Sequence, residues 1–141
     1  MVYAGVYDGA GVYTPPPDTT PPTVSSVNPS DGAIFVSRTT SVTATFSEDM
    51  DPATLNDTDT QAGKDKSFTL TRQGATTPIE VTVSYDATTK KATLKLKPDS
   101  QLEASTKYTA TVKGGPDGGA KDTAGNPLAS DKVWSFTTSI F

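Results

Sequence analysis

The chain has 141 residues, a formal net charge of -4, 33% apolar residues, 25 Thr, no Cys and no His. That length suits one domain with a core large enough to need no staples. The composition excludes disulfides, thiolate nucleophiles and His-based catalytic or zinc sites, and it offers no basic footprint for nucleic acid or anionic lipid.

The chain opens with "MVYAGVYDGAGVYTPPPDTTPPT", in which AGVY occurs at residues 4–7 and again at 10–13. Three prolines (Pro15, Pro16, Pro17) and two more (Pro21, Pro22) follow. Proline runs favour extended polyproline II and act as semi-rigid spacers. Residues 1–22 are therefore expected to be a linker or N-terminal tail, and residues 23–139 the folded domain. A sharper reading has the two GVY pieces adding a strand to the sheet edge of a neighbour. The first basic residue is Arg38, so the N-terminus lacks the charged region of a signal peptide. No apolar run approaches the roughly 20 residues of a membrane-spanning helix.

From Thr23 the sequence becomes a series of short alternating runs. "TVSSVNP" (23–29) alternates poorly, as an edge strand or a bulged one does. Then apolar and polar residues alternate through 42–46, 68–71, 79–85, 92–96, 108–112 and 134–137. Period two marks a strand with one buried and one wet face, and Thr suits such a surface. "PSDG" (29–32) and "DATTKK" (86–91) are turn signals, the second joining two runs as a hairpin. No segment sustains a helical period. The expected fold is all-β: a seven-stranded antiparallel sandwich.

"LEASTKY" places Leu102, Thr106 and Tyr108 in an L-x-x-x-T-x-Y pattern just before a strand. This is similar to the tyrosine corner of fibronectin type III and related sandwiches, where the phenol bonds back to upstream backbone. The stretches "PPTVSSVNPSDGAIFV", "VTATFSEDMDPATL", "LEASTKYTATV" and "KDTAGNPLASDKVWSFTT", taken in order, resemble the bacterial Ig-like domains of S-layer and other surface proteins. The resemblance covers about Asp18 to Thr138. It implies an extracellular or cell-surface, non-catalytic structural module, used in tandem arrays or beside other domains. Its expected partners are adjacent domains of the same parent chain. A polysaccharide or cell-surface ligand is the alternative, and the chain is expected to be monomeric, with no nucleic acid and no membrane insertion. The likeness is not to an antibody domain, since there is no Cys pair and the lone Trp134 lies in the last strand. The polar insert 56–66 has no evident role.

The candidate sites rest on carboxylates. In "FSEDMDP" (46–52), Asp51 followed by Pro52 fits an N-cap with proline at the first helical position. Met50 and Leu55 then occupy the positions of a hydrophobic staple. Glu48 and Asp49 finish the strand. The competing reading is calcium, which needs six to eight oxygen ligands, with help from Asp122 to Asn126 or from Asp57 and Asp59. No ligand set is assigned, and no catalytic or cofactor-binding residue is expected. "KDTAGNPLA" reads as a turn, with Asp122 bonding forward and Gly125 in a left-handed position. "GGPDGG" (114–119) lacks the lysine and the strand–helix context of a phosphate loop and reads as a flexible connection. Trp134 and the alternating aromatics are assigned to the core, whereas Phe35 is expected to be exposed.

Overall fold

Val42, Ala44 and Phe46 are buried, while Thr43 and Thr45 between them are partly exposed. The alternation of the sequence is thus the alternation of the pleat, and the apolar set falls on one face. The computed structural model describes residues 6–7, 9, 11, 13–14, 18–55, 67–116 and 119–141. In chain order the strands are β1 (Val6–Tyr7), β2 (Tyr13–Thr14), β3 (Val24–Asn28), β4 (Ala33–Val36) and β5 (Val42–Phe46). After a short 3-10 turn (Pro52–Thr54) come β6 (Phe68–Arg72), β7 (Val81–Asp86), β8 (Lys91–Leu96), β9 (Lys107–Val112) and β10 (Lys132–Thr138).

Two four-stranded sheets carry the core, ordered β4-β10-β9-β6 and β3-β5-β8-β7. The all-β sandwich is as expected from the sequence, but the sandwich has eight strands rather than seven. The additional strand is β4, whose "AIFV" has no alternation; its ends are partly buried and Ile34 and Phe35 face solvent. β4 also runs parallel to β10, with a register shift between Ala33–Phe136 and Val36–Thr138. Every other strand pair is antiparallel. β3 is both an edge strand and bulged, between Val24 and Ser26, which explains its broken pattern. β7 and β8 form the expected hairpin.

Facing strands bury Val42, Ala44, Phe46, Ala92 and Leu94 against Phe68, Leu70, Ala110, Trp134 and Phe136. Trp134 is 1% exposed, its ring centroid 6.0 Å from that of Phe68. Removing that much apolar surface from water is the main force holding the sheets together.

The tyrosine corner is present. The Tyr108 hydroxyl, on a side chain 3% exposed, accepts a hydrogen bond from the Glu103 backbone N–H at 2.9 Å. Thr138 closes the same crossover: its hydroxyl accepts from Thr106 N–H at 2.9 Å and donates to the Glu103 carbonyl at 2.5 Å. In the GGPDGG stretch, Gly114 and Gly119 lie at close backbone crossings. A Cβ on Gly114 would stand 2.5 Å from the Ser130 carbonyl, and Gly114 N–H donates to Asp131 Oδ1 at 2.8 Å. Gly114 and Gly119 thus admit neighbouring backbone.

The two ends of the sandwich are distinct. Pro22, Thr23 and Val24 enter beside Leu128–Lys132, where they line a small hollow of about 170 Å³. β10 starts there and its seven residues run to Thr138, about 20 Å away at ~3.3 Å per residue. The chain therefore enters at one pole and leaves at the other.

In the N-terminal lead, β1 and β2 pair antiparallel with each other, Val6 opposite Thr14 and Tyr7 opposite Tyr13. Val6–Tyr7 and Tyr13–Thr14 thus form a separate two-stranded sheet. Contacts with the sandwich begin before Thr23: the Asp18 carbonyl accepts from Asn126 Nδ2 at 2.8 Å.

A candidate site in the carboxylate corner of the entry pole

The stretch 46–52 divides its carboxylates among three tasks. Asp51 caps the 3-10 turn: its Oδ1 accepts from Ala53 N–H at 3.0 Å, with Pro52 at the first position. Met50 and Leu55, on either side, are both buried in the core cluster. Asp49 accepts from the Tyr85 hydroxyl at 2.7 Å, and the same hydroxyl accepts from Met50 N–H at 2.9 Å. Burial first, and then the bond to Asp49, push the Tyr85 phenol up to about 12. This couples the strand end after β5 to β7.

Glu48 turns the other way. A carboxylate oxygen from each of Glu48, Asp122 and Asp18 lies within 4.8 Å of the others. Three segments meet there: the lead before β3, the strand end after β5 and the loop before β10. Asp122 is the anchor, fully buried. Its Oδ1 accepts from Ala124 N–H at 2.9 Å and Asn126 N–H at 2.8 Å, and its Oδ2 accepts from Asn126 Nδ2 at 3.0 Å. Gly125, at φ +91°, makes the turn that brings Asn126 back onto Asp122. The forward bonding and left-handed glycine read from "DTAGN" are therefore both present.

The corner has an uneven charge. Burial alone would raise Asp122, but the backbone N–H and side-chain amide of Asn126 outweigh it and hold the acid below its ordinary value. Glu48 goes up to about 7, through burial first, then its hydrogen bond with Asp122 and the charges of Asp18 and Asp122. Like charges at this separation cannot all ionise cheaply, so one proton is shared in the corner below about pH 7.

Of the residues weighed for a cation, the structure brings Glu48 and Asp122 together and sends Asp49 and Asp51 elsewhere. Asp57 and Asp59 lie outside the described residues. Asp18 was missed by sequence reasoning because it stands in the proline-rich lead. Its local signal was an Asx turn, Asp18 Oδ1 accepting from Thr20 N–H at 2.9 Å, but nothing local reports its meeting with Glu48 and Asp122. Three carboxylates supply part of the six to eight oxygens calcium requires. Most of Asp122's acceptor capacity is already used by Ala124 and Asn126, so the corner is built first as a hydrogen-bonded joint.

A larger cleft, about 490 Å³, lies near the opposite pole. Its floor is Ile79, Leu96 and Leu102, and two exposed ion pairs line it, Arg72–Glu103 at 2.6 Å and Lys97–Glu80 at 2.7 Å.

The two packed sheets and the tyrosine corner define an Ig-like β-sandwich module. The family model for the bacterial Ig-like domain matches residues 18–138, and the chain belongs to that family. Among solved structures it is similar to surface layer protein SbsC, domains 1–6, at 25% identity and a TM-score of 0.55. That match covers 85% of this chain and 14% of the S-layer chain, so the chain spans a small part of that protein. The N-terminal part of bacterial S-layer protein SbsC is similar at 26% identity and a TM-score of 0.56, over 85% of this chain and 24% of that one. CopC from Methylosinus trichosporium OB3b shares the fold at a TM-score of 0.59 and 13% identity, over 84% of this chain and 93% of that one. No curated protein matches.

Proposed function

We propose that the domain is a structural spacer of a bacterial surface or secreted protein, holding its neighbours apart along one axis. The observation that carries this is the pair of opposed poles in a bacterial Ig-like sandwich that resembles S-layer domains. Chain entering at Pro22 and leaving after Thr138 makes each module add its length to a string. The carboxylate corner supports the same role, since it ties the incoming lead to the sandwich through Asp18. The tyrosine corner does the equivalent at the far pole. Catalysis has little to rest on: the clustered acids sit in a hydrogen-bonded joint, away from the large cleft. Among the described residues no helix is long and apolar enough to cross a membrane.

The partners are then the adjacent domains of the parent chain. Binding of a polysaccharide or another cell-surface ligand would need a platform of exposed rings. Phe35 and Phe141 are the exposed aromatics among the described residues, and no observation favours that alternative over the spacer.

The test is small-angle scattering from two copies joined in tandem through the native lead. A spacer gives a maximum dimension close to twice that of one copy. A folded-back pair, or tight binding to a polysaccharide panel, would sink the reading.

A further inference from the structure

The lead meets the sandwich at two separate clamps. At the inner one, Thr23 N–H donates to Ser47 Oγ at 2.9 Å, and Ser47 N–H donates to the Thr23 carbonyl at 2.8 Å. Pro22 is buried. Neither bond involves a titratable group. At the outer clamp, Asn126 Nδ2 donates to the Asp18 carbonyl at 2.8 Å. The same amide nitrogen donates to Asp122 Oδ2 at 3.0 Å, so one side chain holds the lead and the buried acid together. Between the clamps, Thr19, Thr20 and Pro21 are exposed.

The outer clamp is the one that charge can open. A carboxylate oxygen of Asp18 lies within 4.8 Å of one from Glu48 and one from Asp122. The charged groups acting on Glu48 are Asp18 from the lead and Asp122 from the loop before β10, and both are acidic. Asp49 beside it is bonded to Tyr85. One proton in the corner lets the acid oxygens bond to one another. Without it three negative charges face each other, and Asp18 is the member that can leave. Asp122 is fully buried and Glu48 follows directly on β5, whereas Asp18 is exposed in the lead.

We infer that residues 18–22 form a pH-gated hinge: Asp18 is docked while the corner holds its shared proton and swings free when all three acids are ionised. Glu48 holds that proton up to about pH 7, so the lead is docked in mild acid and free in mild alkali. Thr23 stays clamped in both, and the pivot of the lead moves from Asp18 to Thr23. Residues 18–22, once freed, add up to about 15 Å of reach at ~3.1 Å per residue. What that reach does for neighbouring modules rests on the spacer reading; the release itself does not.

A spin label on the full chain tests it. Thr19→Cys supplies a single labelling site, because the chain has no Cys and Thr19 is exposed. Paramagnetic resonance should read a restrained label at about pH 5.5 and a mobile one at about pH 8.5. The mobile fraction should rise at least about threefold, with the far-UV circular dichroism unchanged. Glu48→Gln in the labelled chain cannot ionise and should keep the label restrained at both values. Asp18→Asn takes the charge from the lead and should do the same, and it serves alone where Glu48→Gln does not fold. A parent label equally mobile at both values would overturn the inference. So would release that persists in either variant, or a loss of sheet signal in alkali, which would make unfolding the event. The label reads one copy, so a tandem pair that folds back in scattering would sink the spacer and leave the hinge standing.

Discussion

Tyr108 shows how much one side chain can do at a crossover. Its hydroxyl satisfies the Glu103 N–H in a part-buried setting, and removing a partner there leaves that donor without one. Tyr108→Phe should therefore cost about 1 kcal/mol or more in urea unfolding. An unchanged midpoint would remove the corner from the account of stability. Phe35 predicts the opposite sign. Its left-handed backbone at φ +56° costs a non-glycine residue roughly 1–2 kcal/mol. Phe35→Gly should raise stability in the same assay, less the small entropic cost of glycine in the unfolded chain. Glu48 sets a pH dependence. Its folded value of about 7 lies above the ordinary 4.5. Between those values the folded chain holds a proton that the unfolded chain has released, so stability falls as pH rises from about 4.5 to 7. Asp122 has the opposite sign. It lies below its ordinary 3.8, so its contribution is present above that value and lost as pH falls through its folded value. Melting temperature should thus peak near about pH 4 to 5. Glu48→Gln should flatten the fall toward pH 7, and a fall that persists in that variant would assign it to other groups.

At the scale of elements, the parallel strand β4 and the loop 114–119 explain where sequence reading stopped. The runs at 42–46 and 108–112 were legible because one face is buried and the next residue is wet, which writes period two into the sequence. β4 has partly buried ends and two consecutive exposed residues, so the same rule had nothing to detect. Its parallel pairing with β10 follows from where the chain crosses the sandwich, which local residues do not encode. The "GGPDGG" loop was read as flexible, yet Gly114 and Gly119 lie where another backbone passes too close for a Cβ. Gly114→Ala should accordingly destabilise the domain by more than the few tenths of a kcal/mol of an ordinary surface change, and a neutral melt would show that Ser130 can move aside. Thr138 ties β10 to the tyrosine corner through two bonds of one hydroxyl. Thr138→Val keeps the shape and loses both, so it should cost about 1–3 kcal/mol.

On the scale of the whole molecule, the two poles do different work. The entry pole gathers three carboxylates from distant segments, and the exit pole carries the tyrosine corner and the apolar edge of β4. A cation at the entry corner would have to displace the proton held by Glu48. At pH 5, millimolar calcium should leave the melting temperature where EDTA sets it, because Glu48 is still protonated. Any calcium stabilisation should emerge only above about pH 7, and a rise at pH 5 would show that the proton is not what occupies the corner.

The sandwich strands other than β4, the hairpin at 81–96, the capped turn at Asp51, the tyrosine corner and the family resemblance were determined by the sequence alone. Each is a local pattern, set by side-chain alternation, turn chemistry or a short spacing within a few residues. The exposure of Phe35 was also expected from the sequence and is found, but its left-handed backbone, the meeting of Asp18, Glu48 and Asp122 and the opposition of the two poles were decided only by the tertiary structure. The reason is physical: they depend on which distant segments the buried faces bring together, and a carboxylate in a proline-rich lead carries no local mark of the partners it will meet.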